Sequence, residues 1–435
     1  MKKFLFFLLI PIQVSAQHQH SQPVQGDTAE LMTSAFSRNL PMTRNGSGTS
    51  WLPDASPAWG HMFHRNQWMF MAHYNAFLRY NHQDFLERGT RGGKKIDFLE
   101  WGMLKGQREI GVNGLFHFST MFTLDPFFVG SEGYPLLFQT GETWQGKQLV
   151  DRQHPHELFS ELAVSYAHSF GSKTDGFIYA GFPGEPALGS GAFMHRPSAM
   201  FNPDAPITHH WNDGHHITFG VLTFGLRYSA FKLETSAFHG REPDENRYDF
   251  DGGPLDSWSM RLSFSPREDA VFQVSHGFIN SPDVLDPVED VARTTASVIF
   301  THNWEHGKAK EFYGTLLWAR NVTGRTIENA TLAEGVLAMR VLSIYSRYEL
   351  VQKTAEHLNL ISEFPENLLI EIHEFTAGMS IQFLKTRWFN ASFGSHLTLF
   401  ISDHELFPIY GEWPWSFEAY LRIYPPRLNL PTFRK

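Results

Sequence analysis

The stretch Trp68-Met69-Phe70-Met71-Ala72-His73-Tyr74-Asn75-Ala76-Phe77-Leu78-Arg79-Tyr80 places Trp68, Phe70, Ala72, Tyr74, Ala76, Leu78 and Tyr80 on one face. Met69, Met71, His73, Asn75 and Arg79 fall on the other. Successive side chains of a strand point to opposite sides, so this alternation specifies a β-strand with one greasy face and one mixed face. Residues 115–125 repeat the scheme, with Phe116, Phe118, Phe122 and Leu124 opposing His117, Ser119, Met121 and Thr123. So do residues 158–168, and residues 258–264, where Trp258, Met260, Leu262 and Phe264 oppose Ser259, Arg261 and Ser263. Segments of about ten residues with this period have the length of a tilted strand crossing a bilayer.

Carried along the chain, the template predicts sixteen strands, at 68–80, 98–108, 114–124, 157–169, 174–182, 216–228, 231–239, 257–265, 270–278, 294–302, 310–320, 333–342, 344–352, 373–383, 387–400 and 415–424. Long polar connections (81–97, 125–156, 183–215, 240–256, 279–293, 321–332, 353–372, 401–414) alternate with short ones such as Ser229-Ala230. Lipid offers no hydrogen bonds to a free backbone, so a spanning sheet must close on itself with an apolar outer face. A soluble sandwich also alternates its faces, but it has no reason to sort its loops into two length classes by parity. The expected fold is therefore all-β, a transmembrane antiparallel barrel of about sixteen strands preceded by a non-barrel segment. Trp68, Tyr80, Tyr166, Tyr228, Trp258, Trp318 and Trp388, near strand ends, suit interfacial girdles.

The 435 residues contain no cysteine, which excludes disulfide scaffolds, Cys-ligated zinc and iron–sulfur clusters. A net charge of −9 without a basic stripe argues against nucleic-acid binding. Lys2 and Lys3, the apolar run 4–10 and the small residues Val14-Ser15-Ala16 read as an export signal over residues 1–16. Residues 17–67 lack strand periodicity and are rich in turn formers, as in Asn45-Gly46-Ser47-Gly48. Trp51, Trp59 and Phe63 favour docking of this segment, as a periplasmic extension or a plug in the lumen, over a disordered tail. Residues 68–424 form the barrel and 425–435 a tail.

An export signal, the absence of cysteine, an even number of amphipathic strands and aromatic-rich segments together resemble the bacterial outer-membrane porin class. The resemblance covers residues 68–424 and is architectural; no motif singles out one family. It implies the outer membrane of a Gram-negative bacterium, contact with outer-membrane lipid, and passive diffusion of small polar solutes or ions. Many such barrels end on an aromatic residue, whereas here Phe433 stands two residues before the end.

Strand parity turns Arg79, Glu161, Arg227, Lys232, Glu234, Arg261, Glu334, Arg340, Arg347, Glu349, Glu374, Glu418 and Arg422 inward as pore-lining residues. Mixed charge on such a wall sets a transverse field for polar solutes, or else the charges pair with one another in a filled lumen. Neither sign dominates, and no residue pattern specifies an oligomeric state.

Histidine is abundant, at 23 residues, and concentrates in loops. Asp151-Arg152-Gln153-His154-Pro155-His156-Glu157 sets two imidazoles beside carboxylates. His209-His210-Trp211-Asn212-Asp213-Gly214-His215-His216 brings four imidazoles and Asp213 into eight residues. Either loop is a candidate for zinc or copper, for which neutral imidazole is a common ligand; ordinary surface histidines are the plain alternative. His61, Met62 and His64 with Met69, Met71 and His73 form a third group, whose thioethers suit Cu(I), although methionine also fills irregular interiors. The chain is thus expected to be a porin-like channel or a His-rich barrel that binds or moves a divalent ion or Cu(I).

Catalytic motifs are incomplete. His156-Glu157, His373-Glu374 and His404-Glu405 lack the second histidine of a zincin helix. The run 141–147 imitates a phosphate loop, but Gln148 stands where a magnesium-binding hydroxyl belongs. A lipid-acting enzyme, for which Ser275-His276 is the candidate pair, is the third expectation.

Overall fold

The computed structural model describes residues 32–304 and 310–430. The export signal, the start of the mature chain and Phe433 lie outside these residues. Sixteen strands close into an antiparallel barrel: β1 (Trp68–Gln83), β2 (Gly93–Ile110), β3 (Gly114–Phe122), β4 (Phe159–Gly171), β5 (Thr174–Gly181), β6 (Val221–Tyr228), β7 (Phe231–Phe238) and β8 (Ser257–Arg267), followed by β9 (Ala270–Ile279), β10 (Val291–Asn303), β11 (Lys310–Thr323), β12 (Thr326–Met339), β13 (Leu342–Thr354), β14 (Leu369–Lys385), β15 (Asn390–Ser402) and β16 (Trp415–Tyr424). Each strand pairs with its neighbour in sequence, and β16 returns to β1 with Tyr420 opposite Arg79 and Leu421 opposite Leu78. Every strand expected from the alternation is present, with ends shifted by up to several residues.

The largest shift has a physical cause. Residues 321–332 were expected to form a long external loop, but β11 runs to Thr323 and β12 starts at Thr326, leaving only Gly324 and Arg325 between them. In β12 the inward residues Ala330 and Leu332 are apolar and fully buried, because they meet packed loop residues rather than water, while Asn329 and Thr331 face outward. The usual sign of the alternation is inverted there. Because β12 also ends early, Arg340 sits at φ 32° in the turn to β13 and is exposed, so it is a rim residue and not part of the inner wall.

Large apolar side chains face outward on nearly every strand of the barrel. Ile96, Val164, Phe224, Leu226, Met260, Leu262, Leu316, Phe375, Met379, Phe393 and Leu421 are all exposed large hydrophobics at barrel strands. A closed sheet with such a wall is built to sit in lipid, since closure satisfies every backbone group and the apolar belt replaces water contact. No helix among the described residues is long and apolar enough to cross a membrane.

The interior is packed. Three segments enter it: residues 32–60, the connection from β3 to β4, which carries the hairpin Tyr134–Trp144 and Lys147–Gln153, and the connection from β5 to β6, which carries the short helices Phe193–His195 and His209–Asn212. Leu136, Leu137, Phe138, Ile207 and Trp211 from the two connections pack on the inner wall at Leu317, Leu332, Val351 and Phe400. Charges on the wall seat these segments. Arg79 pairs with Asp97 at 2.5 Å, with Asp204 of the β5–β6 connection at 2.6 Å and with Glu418 at 3.1 Å. Arg347 pairs with Glu349 at 2.7 Å and with Glu374 at 3.4 Å, and donates to the Asp204 carbonyl at 2.9 Å. Glu349 accepts from the Thr208 backbone and hydroxyl, and Glu334 accepts from Arg196 at 2.8 Å. On the opposite side Arg261 pairs with Glu234 at 2.9 Å and donates to Thr49 at 2.7 Å, while Lys232 pairs with Glu234 at 3.1 Å. Arg227 pairs with Asp175, Glu161 accepts from Tyr179 at 3.1 Å, and Arg422 donates to Asn75 at 2.8 Å. Twelve of the thirteen expected lining residues thus face inward and are buried in pairs; Arg340 is the exception. Buried ions persist only when paired and hydrogen-bonded; here the wall charges pair mostly with one another, and Asp204, Arg196, Thr208 and Thr49 tie the entering segments into that network.

Candidate metal centre

The hairpin and the β5–β6 connection bring the two histidine loops, more than fifty residues apart in sequence, face to face. Five imidazoles form a closed ring. Centroid separations are 5.5 Å for His210–His154, 5.7 Å for His154–His156, 5.5 Å for His156–His216, 5.0 Å for His216–His209 and 5.1 Å for His209–His210. His154 and His209 are 4% and 1% exposed. The two loops, expected as separate candidates, come together in one cluster.

Each ring is held through Nδ1. His209 Nδ1 lies 2.7 Å from Asp213 Oδ1, His156 Nδ1 3.0 Å from Asp125 Oδ2, His154 Nδ1 3.1 Å from Glu142 Oε1 and His216 Nδ1 2.9 Å from the Asp213 carbonyl. His210 Nδ1 faces Glu242 at 3.5 Å. Carboxylates and carbonyls accept, so these contacts assign the proton to Nδ1 and leave the Nε2 lone pair of a neutral ring free. The Nε2 atoms of His154, His156, His209, His210 and His216 are all buried without a hydrogen-bond partner. Burial lowers the pKa of His154, His209 and His216, with neighbouring imidazoles adding to the effect; Asp213 opposes it in part at His209 and His216.

One ring nitrogen each from His154, His209 and His210 lie within 4.8 Å of one another. Bonds of about 2 Å to zinc place two ligand nitrogens at most about 4 Å apart, so a modest rotation of the rings closes three of them on one ion. Carboxylate–imidazole–metal chains of this kind fix the tautomer and raise ligand basicity. The carboxylates of Asp125, Glu142, Asp213 and Glu242 also bring negative charge close to the position a cation would take.

The remaining expected ligands take other places. Asp213 bonds His209 and pairs with Arg196 at 3.0 Å, so it supports the ring from outside. His215 turns away, with Nε2 3.3 Å from the Gly240 carbonyl and Nδ1 3.2 Å from Arg293. Of the third group, Met69 and Met71 are buried inward and the Nε2 of His73 is buried without a partner, whereas His64 is exposed and His61 contacts the Trp388 carbonyl at 2.8 Å. Ser275 and His276 face opposite sides of the wall, Ser275 inward on Thr295 and His276 outward on Thr294, so they are not a nucleophile–base pair.

Sequence reasoning missed Asp125, Glu142 and Glu242. Glu142 was visible in the run 141–147, the same run that imitates a phosphate loop. In the structure this run is the tip of the entering hairpin, and Arg247 from the β7–β8 connection pairs there with both Glu142 and Glu157.

No family model and no curated protein matches the chain. Among solved structures it is similar to OmpF of Salmonella typhi in complex with daunomycin, at 7% identity and TM-score 0.49 over 85% of this chain and 100% of that one. It is also similar to OprB of Pseudomonas putida, at 12% identity and TM-score 0.47 over 82% and 94%. A third is the outer membrane channel DcaP of Acinetobacter baumannii, at 9% identity and TM-score 0.42 over 82% and 97%. By its own topology, a closed ring of sixteen antiparallel strands with an apolar outer wall, the chain has the porin-class architecture of the outer membrane.

Proposed function

We propose that this outer-membrane barrel captures a transition-metal cation, zinc or copper, at the histidine ring inside its lumen. The observation that carries the reading is the set of five imidazoles, His154, His156 and His209 buried and His210 and His216 half-buried, whose Nδ1 atoms are held and whose buried Nε2 atoms lack partners. A buried polar atom left unsatisfied costs about 1–3 kcal/mol, and five such atoms gather in one ring. A metal ion would convert the free lone pairs of His154, His209 and His210 into bonds, and imidazole suits zinc and copper alike. Passive diffusion of many solutes fits the interior less well, because the wall charges that would select them are paired with one another or engaged in seating the loops.

Isothermal titration of the purified, detergent-solubilised barrel with zinc tests the proposal. Tight binding by the parent is expected, with most of the affinity lost in both His154→Ala/His156→Ala and His209→Ala/His210→Ala. Unchanged affinity in either double variant removes that loop from the site.

A further inference from the structure

A second group of donors lies in the lumen toward the short-turn rim. A cavity of about 130 Å³ is lined by Met32, Met42, Met71, Met194 and Met200, and by His73, His117 and His195. The His73 and His195 rings stand 6.1 Å apart and both pack on Trp101, at 5.1 and 5.2 Å. The Nε2 atoms of His73 and His117 are buried without a partner. Five methionines and two histidines with unpartnered ring nitrogens line one space, which offers soft and imidazole donors together, and the space exceeds the roughly 10–15 Å³ that a single water needs.

This chamber adjoins the histidine ring. A smaller cavity of about 60 Å³ is lined at one end by His156 and Asp125 and at the other by Asn75, Trp101, Met194 and Met200. Those last four residues also line the large chamber. On β1 the lining passes from Phe77 in the small cavity through Asn75 to Met71 in the large one. Six residues of strand cover roughly 20 Å. The two cavities therefore follow the barrel axis from the long-loop side to the short-turn side.

The donor chemistry changes along this line. Thioether sulfur is soft and selects Cu(I), whereas imidazole accepts zinc and copper. Charge points the same way: Arg196 at the chamber wall is paired with Asp213 and Glu334, which leaves Lys105 and Arg422 as the cations beside the space. Their repulsion acts twice as strongly on a divalent ion as on a monovalent one, and neutral thioethers offer no offset.

We infer that the methionine–histidine chamber is a second metal station, selective for monovalent copper, placed between the histidine ring and the short-turn rim. The inference rests on the metal reading of the histidine ring for the direction of travel, while the chamber's own ligand set stands apart from it. No electron transfer is involved, because imidazole and thioether both hold Cu(I).

The test uses the full-length barrel under anaerobic conditions. Cu(I) is titrated against a chromophoric chelator, Zn(II) by calorimetry, and copper X-ray absorption reads the ligand atoms. The parent is expected to take two Cu(I) with sulfur neighbours and one Zn(II). Met71→Leu/Met194→Leu, which keeps side-chain volume close to the original, is expected to lose one Cu(I) and the sulfur signal while retaining Zn(II). A copper-loaded parent without sulfur neighbours, or a double variant that keeps both Cu(I), overturns the chamber. A parent that binds no Zn(II) overturns the histidine ring instead, and the sulfur signal then decides the chamber by itself.

Discussion

Gly141 sits at φ +124°, and a β-carbon there would lie 2.2 Å from His210 Nε2. The residue has no side chain because the hairpin tip and the imidazole need the same space. Gly141→Ala is therefore expected to push His210 out of the ring and weaken zinc binding, with the barrel itself intact by circular dichroism. Asp125→Asn and Asp213→Asn test the carboxylates behind His156 and His209. Loss of such outer partners typically costs about 10–100-fold in metal affinity, and a zinc titration that shows no change in either variant would separate those carboxylates from the site. Arg79 answers a different question. Its removal leaves Asp97, Asp204 and Glu418 buried without their shared cation. Breaking a buried pair costs about 3–5 kcal/mol, so Arg79→Ala is expected to release the β5–β6 connection, seen as new proteolytic cleavage within residues 183–220.

Among the elements, the strands were legible in the sequence and the loop packing was not. A strand such as β8 announces itself because its two faces meet lipid and a polar interior, so Trp258, Met260 and Leu262 alternate with Ser259 and Arg261. The rule failed at β12, where Ala330 and Leu332 face loop residues and the inner side becomes apolar. The histidines of the ring were visible as types and spacings, but their convergence depends on contacts such as Thr208 with Glu349, which no local pattern encodes. The N-terminal segment shows how such contacts respond to pH. Glu185, at the start of the β5–β6 connection, is buried against it, and a β-carbon on Gly48 would lie 2.6 Å from Glu185. Burial pushes the Glu185 carboxyl up to about 8, against the opposing pull of a Ser47 hydrogen bond and the Arg261 charge, with Glu161 and Asp213 adding to the rise. Between its ordinary value of 4.5 and about 8 the folded state holds a proton that the unfolded chain has lost. Stability therefore falls as pH rises through that window. Residues 32–60 are expected to become more susceptible to protease as pH rises from 4.5 to about 8, and Glu185→Gln to flatten the dependence. Equal protection of the parent across the window would show that Glu185 is not the group that couples docking to pH.

For the whole molecule, the question is whether sixteen strands with a packed interior pass current. The hairpin Tyr134–Trp144 and Lys147–Gln153 is the most deeply engaged filler. Its Phe138 carbonyl accepts from Lys353 at 2.6 Å, its Pro135 carbonyl accepts from Asn81 at 2.9 Å, its Leu137 amide donates to Gln83 at 3.1 Å, and the Phe138 ring stacks on Tyr410 at 4.0 Å. The barrel wall does not need the hairpin, since backbone pairing between strands is complete without it. Replacing residues 134–153 by a short Gly-Ser linker is thus expected to leave an assembled barrel whose lumen admits water along Lys353, Arg347 and Glu374. In planar bilayers the parent should show low conductance for potassium chloride, and the shortened variant a conductance several-fold larger. The same deletion removes Glu142 from behind His154 and Gly141 from beside His210, so zinc affinity should fall as conductance rises. That opposite movement is what distinguishes a lumen built around a metal path from a general pore with mobile loops. In the latter case the parent would already conduct freely, and the deletion would change neither quantity.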